Sequence, residues 1–221
     1  MAASNEAGPS EMRTDVRHDT GRLEAFSDGV FAIAITILVL EIHVPILPRD
    51  AAPGDLTRAL WAEWPTYAAF VTSFASILIV WMNHHGILQK VDRVDPLLMF
   101  TNGLLLLLTS LYALGTELVG RYLLTPAGSV AVATYAALSL GVNVAFILLW
   151  QSITHGRRLL KASVPDTLVT QVRREIYLGL PVYAFALGVS LVNAYFGLIV
   201  LTAIWVFWAV AGVRAMQTLL E

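Results

Sequence analysis

The composition of this 221-residue chain excludes several classes of protein before any motif is considered. Hydrophobic residues make up 57% of the chain and charged residues 14%, whereas soluble domains carry about 45–50% and about 25%. The composition therefore predicts a protein embedded in a lipid bilayer. A formal net charge of −2 argues against a nucleic-acid partner, which would require a basic surface. Because the chain has no cysteine, disulfides, zinc–thiolate sites and iron–sulfur clusters are also excluded.

The pattern of apolar segments predicts an all-α integral membrane protein. Residues 1–21 are polar and lack the apolar core of a secretory signal, so we expect a disordered cytoplasmic tail there. The remainder, residues 22–221, forms one membrane domain. A spanning helix needs about 20 mostly apolar residues, and six segments approach this length. These segments cover approximately residues 23–44, 62–83, 97–116, 130–153, 175–193 and 196–216.

The lysine and arginine residues predict the orientation of these six helices. Short cytoplasmic loops collect positive charge. Of the 14 basic residues in the chain, all but Arg49, Arg58 and Arg121 fall on the side that holds both termini. We therefore expect both termini to be cytoplasmic and the protein to be a multi-pass protein of the cell membrane.

The first predicted helix is unusual because it contains a carboxylate, Asp28. A charged residue at the centre of a spanning helix costs about 2.5–3.5 kcal/mol on insertion scales, so it should face protein or water and have a partner. At about 100° per residue, one side of the helix carries Ile33, Thr36, Ile37 and Leu40, which we call the first-helix stripe. Asp28 lies about 140° from Ile33 on the same wheel, so it cannot point at the same surface.

These two faces leave alternatives open. From periodicity alone the first-helix stripe favours ordinary apolar packing, but it is also consistent with residues that surround a central axis. Asp28 is consistent with a buried hydrogen-bonding residue near Asn83, His84, His85 or Asn102, and also with a ligand for a transported ion. Adjacent histidines on a helix point about 100° apart, so we favour a hydrogen-bonding role over a metal ion shared by both, and no metal site is predicted.

The sequence RLEAFSDGVFAIAIT, residues 22–36, closely resembles the characteristic motif of the transmembrane protein 175 family. These proteins are the endosomal and lysosomal potassium channels and their prokaryotic relatives. A single set of six helices is similar to the prokaryotic members. The resemblance implies a homotetramer in the lipid bilayer, in which the first helix of each subunit lines one potassium-conducting pore.

The resemblance also implies roles for individual residues. Ile33 resembles the hydrophobic constriction of the family, Ile37 and Leu40 resemble the next apolar layers of the gate, and Thr36 resembles the threonine at the selectivity step. A second set resembles the polar network that holds the pore helix against its own bundle. This network would consist of Arg22, Ser27, Asp28, His84 and His85.

Several functions are excluded or ranked lower by motifs that are absent from the sequence. The chain has no TVGYG-like selectivity-filter loop, so we expect only modest preference for potassium over sodium. It has no catalytic motif such as HExxH or GxSxG and no nucleotide-binding loop, so neither an enzyme nor a cofactor is predicted. The alternative reading is a proton-coupled secondary transporter that uses Asp28 as its protonatable site.

Overall fold

The structure, a computed structural model, describes residues 9–217, with side-chain surroundings for residues 20–208. This part of the chain is almost entirely helical, and its one β-bridge pairs Val91 with Leu160. Two short 3-10 helices are present, Leu38–Glu41 and His155–Arg157. The α-helices are α1 (Pro9–Ile37), α2 (Pro53–Ala62), α3 (Trp64–Leu88), α4 (Pro96–Ser110), α5 (Tyr112–Tyr122), α6 (Gly128–Thr154), α7 (Asp166–Val192) and α8 (Ala194–Gln217).

The predicted fold class, an all-α membrane protein, is confirmed. Five stretches of the described chain are long and apolar enough to cross a membrane, and Ala194–Trp208 of α8 is a shorter apolar helix. The count of six spans, the single domain over residues 22–221 and the cytoplasmic placement of the termini stay predictions. The five stretches are Thr20–Glu41, Trp64–Leu88, Pro96–Tyr122, Gly128–Arg157 and Asp166–Val192.

Both ends of the first helix differ from the prediction. α1 begins at Pro9, so residues 9–21 are helical where a disordered tail was expected, while residues 1–8 lie outside the described part. Once an apolar helix has formed, extending it into a polar segment costs little. At the other end the helix tightens into the 3-10 turn Leu38–Glu41, and Ile42 is already extended. Pro45 disfavours helical geometry at the residue before it.

The sequence also gave no indication of α2 or of the break within the third span. α2 begins after Ala52, whose backbone N–H donates to the Asp55 carboxylate over 3.1 Å, and Pro53 occupies its first turn. A proline at this position and an acidic side chain near it are typical of helix starts. The third span is divided at Leu111 into α4 and α5. α7, which corresponds to the fifth predicted span, starts at Asp166, nine residues before the predicted start at residue 175.

The connection between α7 and α8 is shorter than predicted. Around the junction of the segments predicted at residues 175–193 and 196–216, only Asn193 leaves helical geometry, and its Oδ1 accepts a hydrogen bond from the Phe196 backbone N–H over 3.1 Å. Gly197 lies directly against α7, since a Cβ atom there would sit 2.4 Å from Ser190 Oγ. Small residues allow membrane helices to approach this closely.

α6 forms the centre of the bundle and packs against α4, α5, α7 and α8. Its side chains Leu149, Trp150 and Ile153 are fully buried. α1 packs on α3 and α4 at the edge of this bundle. One face of α1 is therefore covered by its own subunit, and the opposite face is left free.

Candidate functional site: the first helix and its contacts

The first-helix stripe lies on the free face of α1. Ile33 is 59% exposed, Ile37 40% and Leu40 70%, and Thr36 is also exposed. The rest of the described chain therefore does not cover the stripe, and the stripe must face lipid, water or another copy of the chain.

The opposite face of α1 is buried at intervals of three or four residues, which is the spacing of one helix face. Its members are Leu23, Ser27, Phe31, Ala34 and Leu38. Ser27 and Leu38 have no exposed surface, and Phe31 is 2% exposed. Because this face is fixed against α3 and α4, it determines the direction in which the first-helix stripe points.

The Thr36 side chain is exposed, and its hydroxyl hydrogen is already engaged in a hydrogen bond. Its Oγ1 lies 2.9 Å from the Ala32 carbonyl oxygen and 3.0 Å from that of Ile33, so the hydroxyl donates to its own helix. A hydroxyl oxygen has two lone pairs. Those of Thr36 remain available to accept from water or to contact a cation.

The buried face carries a polar chain that joins three helices. Asn102 of α4 donates from Nδ2 to Ser27 Oγ over 3.0 Å, and Ser27 donates to the Leu23 carbonyl over 2.8 Å. Asn102 Oδ1 lies 2.6 Å from His84 Nε2. Because Oδ1 can only accept, Nε2 carries the proton in this contact. Asn102 is 1% exposed and His84 has no exposed surface.

Asp28 is bound by a residue that the sequence did not single out as its partner. Trp81 of α3 donates from Nε1 to Asp28 Oδ1 over 2.8 Å, and the half-buried carboxylate faces away from the first-helix stripe. The Trp81 ring stacks on His85 with centroids 5.8 Å apart. Trp81 lies four residues, about one helical turn, before His85 and on the same face of α3. Helical spacing from His85 could therefore have identified Trp81 as a partner of Asp28.

His85 contacts different residues from its neighbour His84. Its Nδ1 lies 2.8 Å from Glu24 Oε1 on α1, and its Nε2 lies 2.8 Å from Gln89 Nε2. Glu24 and Gln89 were not among the predicted network residues. Arg22 was predicted in the network, but it is exposed, and no hydrogen bond or ion pair among the described side chains connects it to the others.

At the far end of α1, Glu41 borders a cavity of about 390 Å³ whose walls also include Glu63, Glu117 and Arg121. Arg121 pairs with Glu117 at 2.8 Å, and Thr66 donates to Glu63 over 3.2 Å. Three carboxylates thus lie near one arginine. The walls of this cavity therefore carry more acidic than basic side chains.

Two bacterial proteins align with most of the chain. A potassium channel of Chamaesiphon minutus is 39% identical over 191 residues, which are 86% of this chain and 94% of that protein. Residues 22–112 match the model of the endosomal/lysosomal potassium channel TMEM175. The chain belongs to the TMEM175 family. A potassium channel of Streptomyces collinus is 40% identical over 178 residues, or 80% of this chain and 85% of that protein.

The similarity extends to three-dimensional structure. The crystal structure of a lysosomal potassium-selective channel TMEM175 homolog from Chamaesiphon minutus superposes with a TM-score of 0.80 at 37% identity, covering 88% of this chain and 98% of that one. The segment that matches the TMEM175 family model contains the first-helix stripe and every residue of the polar contacts around Ser27, Asp28 and His85. Family membership and site geometry therefore concern the same part of the chain.

Proposed function

We propose that this member of the TMEM175 family is a homotetrameric, potassium-conducting channel whose pore is lined by the first-helix stripe. The observation that carries the proposal is the exposure of Ile33, Ile37 and Leu40 on a helix whose other face is fixed in its own bundle. The choice of potassium as the permeant ion rests on the relatives named as potassium channels, which the chain matches over most of their length.

A ring of four isoleucine side chains explains how such a pore closes. Where apolar side chains narrow a path, water leaves it and ions cannot pass. We propose that Ile33 forms the narrowest point and that Ile37 and Leu40 continue the apolar wall. Thr36 supplies the polar atom in this wall, because its lone pairs are free while its hydrogen is bound to the helix. One hydroxyl per subunit offers few ligands, so the preference for potassium over sodium is modest.

The position of Asp28 argues against the alternative of a proton-coupled transporter. A transport carboxylate has to be reached from the transport path. Asp28 is turned away from the first-helix stripe and accepts a hydrogen bond from Trp81. We therefore assign it to holding α1 against α3 rather than to carrying a proton.

The first experiment tests whether copies of α1 converge. Because the chain has no cysteine, a single Ile33→Cys substitution introduces the only thiol. Disulfide formation requires Cβ atoms about 3.5–4.5 Å apart, so mild oxidation should give covalent dimers of Ile33→Cys. The matched control is Ile199→Cys on α8, whose side chain is 62% exposed. Equal cross-linking of both variants, or of neither, would refute the convergence of α1.

The second experiment measures ion conduction after substitutions at the same two positions. In liposomes, Ile33→Asn should increase potassium flux and reduce discrimination against sodium, because an amide side chain keeps the constriction hydrated. Ile199→Asn should conduct like the wild type. An Ile33→Asn protein that assembles normally but keeps wild-type flux and selectivity would remove Ile33 from the gate.

A further inference from the structure

Three potential metal ligands converge between α1 and α3. Glu24 and Asp28 stand one turn apart on α1, His85 projects from α3, and one ligand atom from each lies within 4.8 Å of the other two. We propose that these residues bind a divalent transition-metal ion, such as Zn²⁺, that links α1 to α3. The site lies away from the first-helix stripe, so the proposal does not depend on the pore.

The ligand types and their spacing suit such an ion. Zinc binds histidine nitrogen and carboxylate oxygen at about 2.0–2.2 Å, usually as a tetrahedron, whose ligand atoms are then about 3.3–3.6 Å apart. Separations within 4.8 Å are brought to that value by small rotations of the two carboxylates, which also widen the 2.8 Å between His85 Nδ1 and Glu24 Oε1. A water molecule would complete the fourth position.

The charges in the cluster are poorly balanced without a cation. Glu24 and Asp28 are like charges at i and i+4 on one helix face, an arrangement that destabilises a helix. Among the described side chains no lysine or arginine pairs with either carboxylate, and only His85 lies close enough to do so. A bound divalent cation would balance both carboxylates at once.

His85 presents an enclosed nitrogen to this cluster. Nδ1 lies 2.8 Å from Glu24 Oε1, but the ring does not have the orientation of a hydrogen bond, and Nδ1 is buried without a hydrogen-bond partner. A metal ion between Nδ1 and the carboxylates would use this nitrogen as a ligand. Burial of an unpaired polar atom is otherwise unfavourable.

Neighbouring side chains hold the ligands in place. Trp81 donates to Asp28 Oδ1, which orients the carboxylate and leaves Oδ2 free. The Gln89 amide lies 2.8 Å from His85 Nε2. The amide atom at this distance is the nitrogen Nε2; with the Gln89 amide flipped, its carbonyl oxygen accepts from Nε2–H and leaves the lone pair of Nδ1 for the metal, and such outer contacts orient metal-binding histidines. No metal site was predicted from the sequence, because helical spacing was considered only for the two adjacent histidines.

The proposal is tested by Zn²⁺ titration calorimetry on the full chain in detergent after removal of any affinity tag. We expect saturable binding of one ion per chain and a Zn²⁺-dependent rise in Tm. Glu24→Gln and His85→Gln should each weaken binding at least about tenfold, as loss of a supporting contact alone does. The matched controls are Glu175→Gln and His155→Gln, both exposed positions outside the cluster, which should bind like the wild type.

Two results would overturn the assignment. One is the absence of saturable binding to the folded wild-type protein. The other is unchanged affinity in whichever of Glu24→Gln and His85→Gln folds, which would place the ion elsewhere. The two cluster variants alter different helices, so the test needs only one of them to fold. Folding is judged by the size-exclusion profile and by Tm without metal.

Discussion

Replacing Asn102 with alanine removes one of the residues that join the first helix to the rest of its bundle. Asn102 contacts Ser27 at 3.0 Å and His84 at 2.6 Å. After the substitution Ser27 still donates to the Leu23 carbonyl and loses only an incoming bond. His84 is affected more, because its Nδ1 already has no partner and its Nε2 would lose its own.

The expected loss of stability follows from this asymmetry. Stranding a buried polar group costs about 1–3 kcal/mol, and a hydrogen bond whose partner keeps another is worth about 0.5–1.5 kcal/mol. With His84 in the first class and Ser27 in the second, Asn102→Ala should lower the free energy of unfolding by roughly 1.5–4.5 kcal/mol. The space left by the shorter side chain adds to this value rather than reducing it.

The assay is unfolding in detergent followed by intrinsic tryptophan fluorescence, against Asn83→Ala as control. Asn83 neighbours His84 but is exposed, so its truncation should change stability by less than about 0.5 kcal/mol. Potassium flux per assembled channel should be unchanged in both variants, since neither touches the first-helix stripe. If Asn102→Ala were no less stable than Asn83→Ala, the buried chain would not hold α1.

Two further predictions concern other parts of the bundle. Gly197→Ala places a Cβ 2.4 Å from a side chain of α7 and should lower the free energy of unfolding by about 1–3 kcal/mol. The control Gly188→Ala meets nothing within 4 Å and should leave the free energy of unfolding unchanged. Equal Tm values for the two variants would contradict the close crossing of α7 and α8. Burial lowers the pKa of Lys90, so its ammonium group costs stability below that pKa and none above the unfolded value of 10.5. The stability of Lys90→Met relative to the wild type should therefore fall as pH rises towards 10.5, and a pH-independent difference in Tm would refute this.

The two faces of α1 could be predicted from sequence because they depend only on helical periodicity. A wheel starting at Ile33 separates the first-helix stripe from Asp28, and the structure places them on different sides. The end of the helix was less predictable. The change to 3-10 geometry at Leu38 depends on a few residues before Pro45, and it leaves Leu40 exposed all the same.

The partners of the polar side chains could not be predicted in the same way. Asp28 and Trp81 are 53 residues apart in sequence, and Ser27 and Asn102 are 75 apart. Such pairs are decided by which helices pack together and by their rotation, and a single sequence contains little information about either. Trp81 also fits the pattern of an interfacial aromatic residue, which hid its role as a donor to Asp28.

The division of α1 into two faces gives the helix two requirements that can be separated by experiment. Between helices in lipid there is little hydrophobic attraction, so close packing and hydrogen bonds have to hold them together. The hydrogen bonds from α1 to α3 and α4 come from Ser27 and Asp28, whereas Ala34 and Leu38 are buried by apolar contact alone. Changes around Asn102 should therefore affect unfolding without altering selectivity, and changes at Ile33 should affect conduction without altering unfolding. A substitution at Ile33 that mainly unfolded the protein would mean that this side chain serves packing, and the case for a pore along α1 would then lose its physical basis.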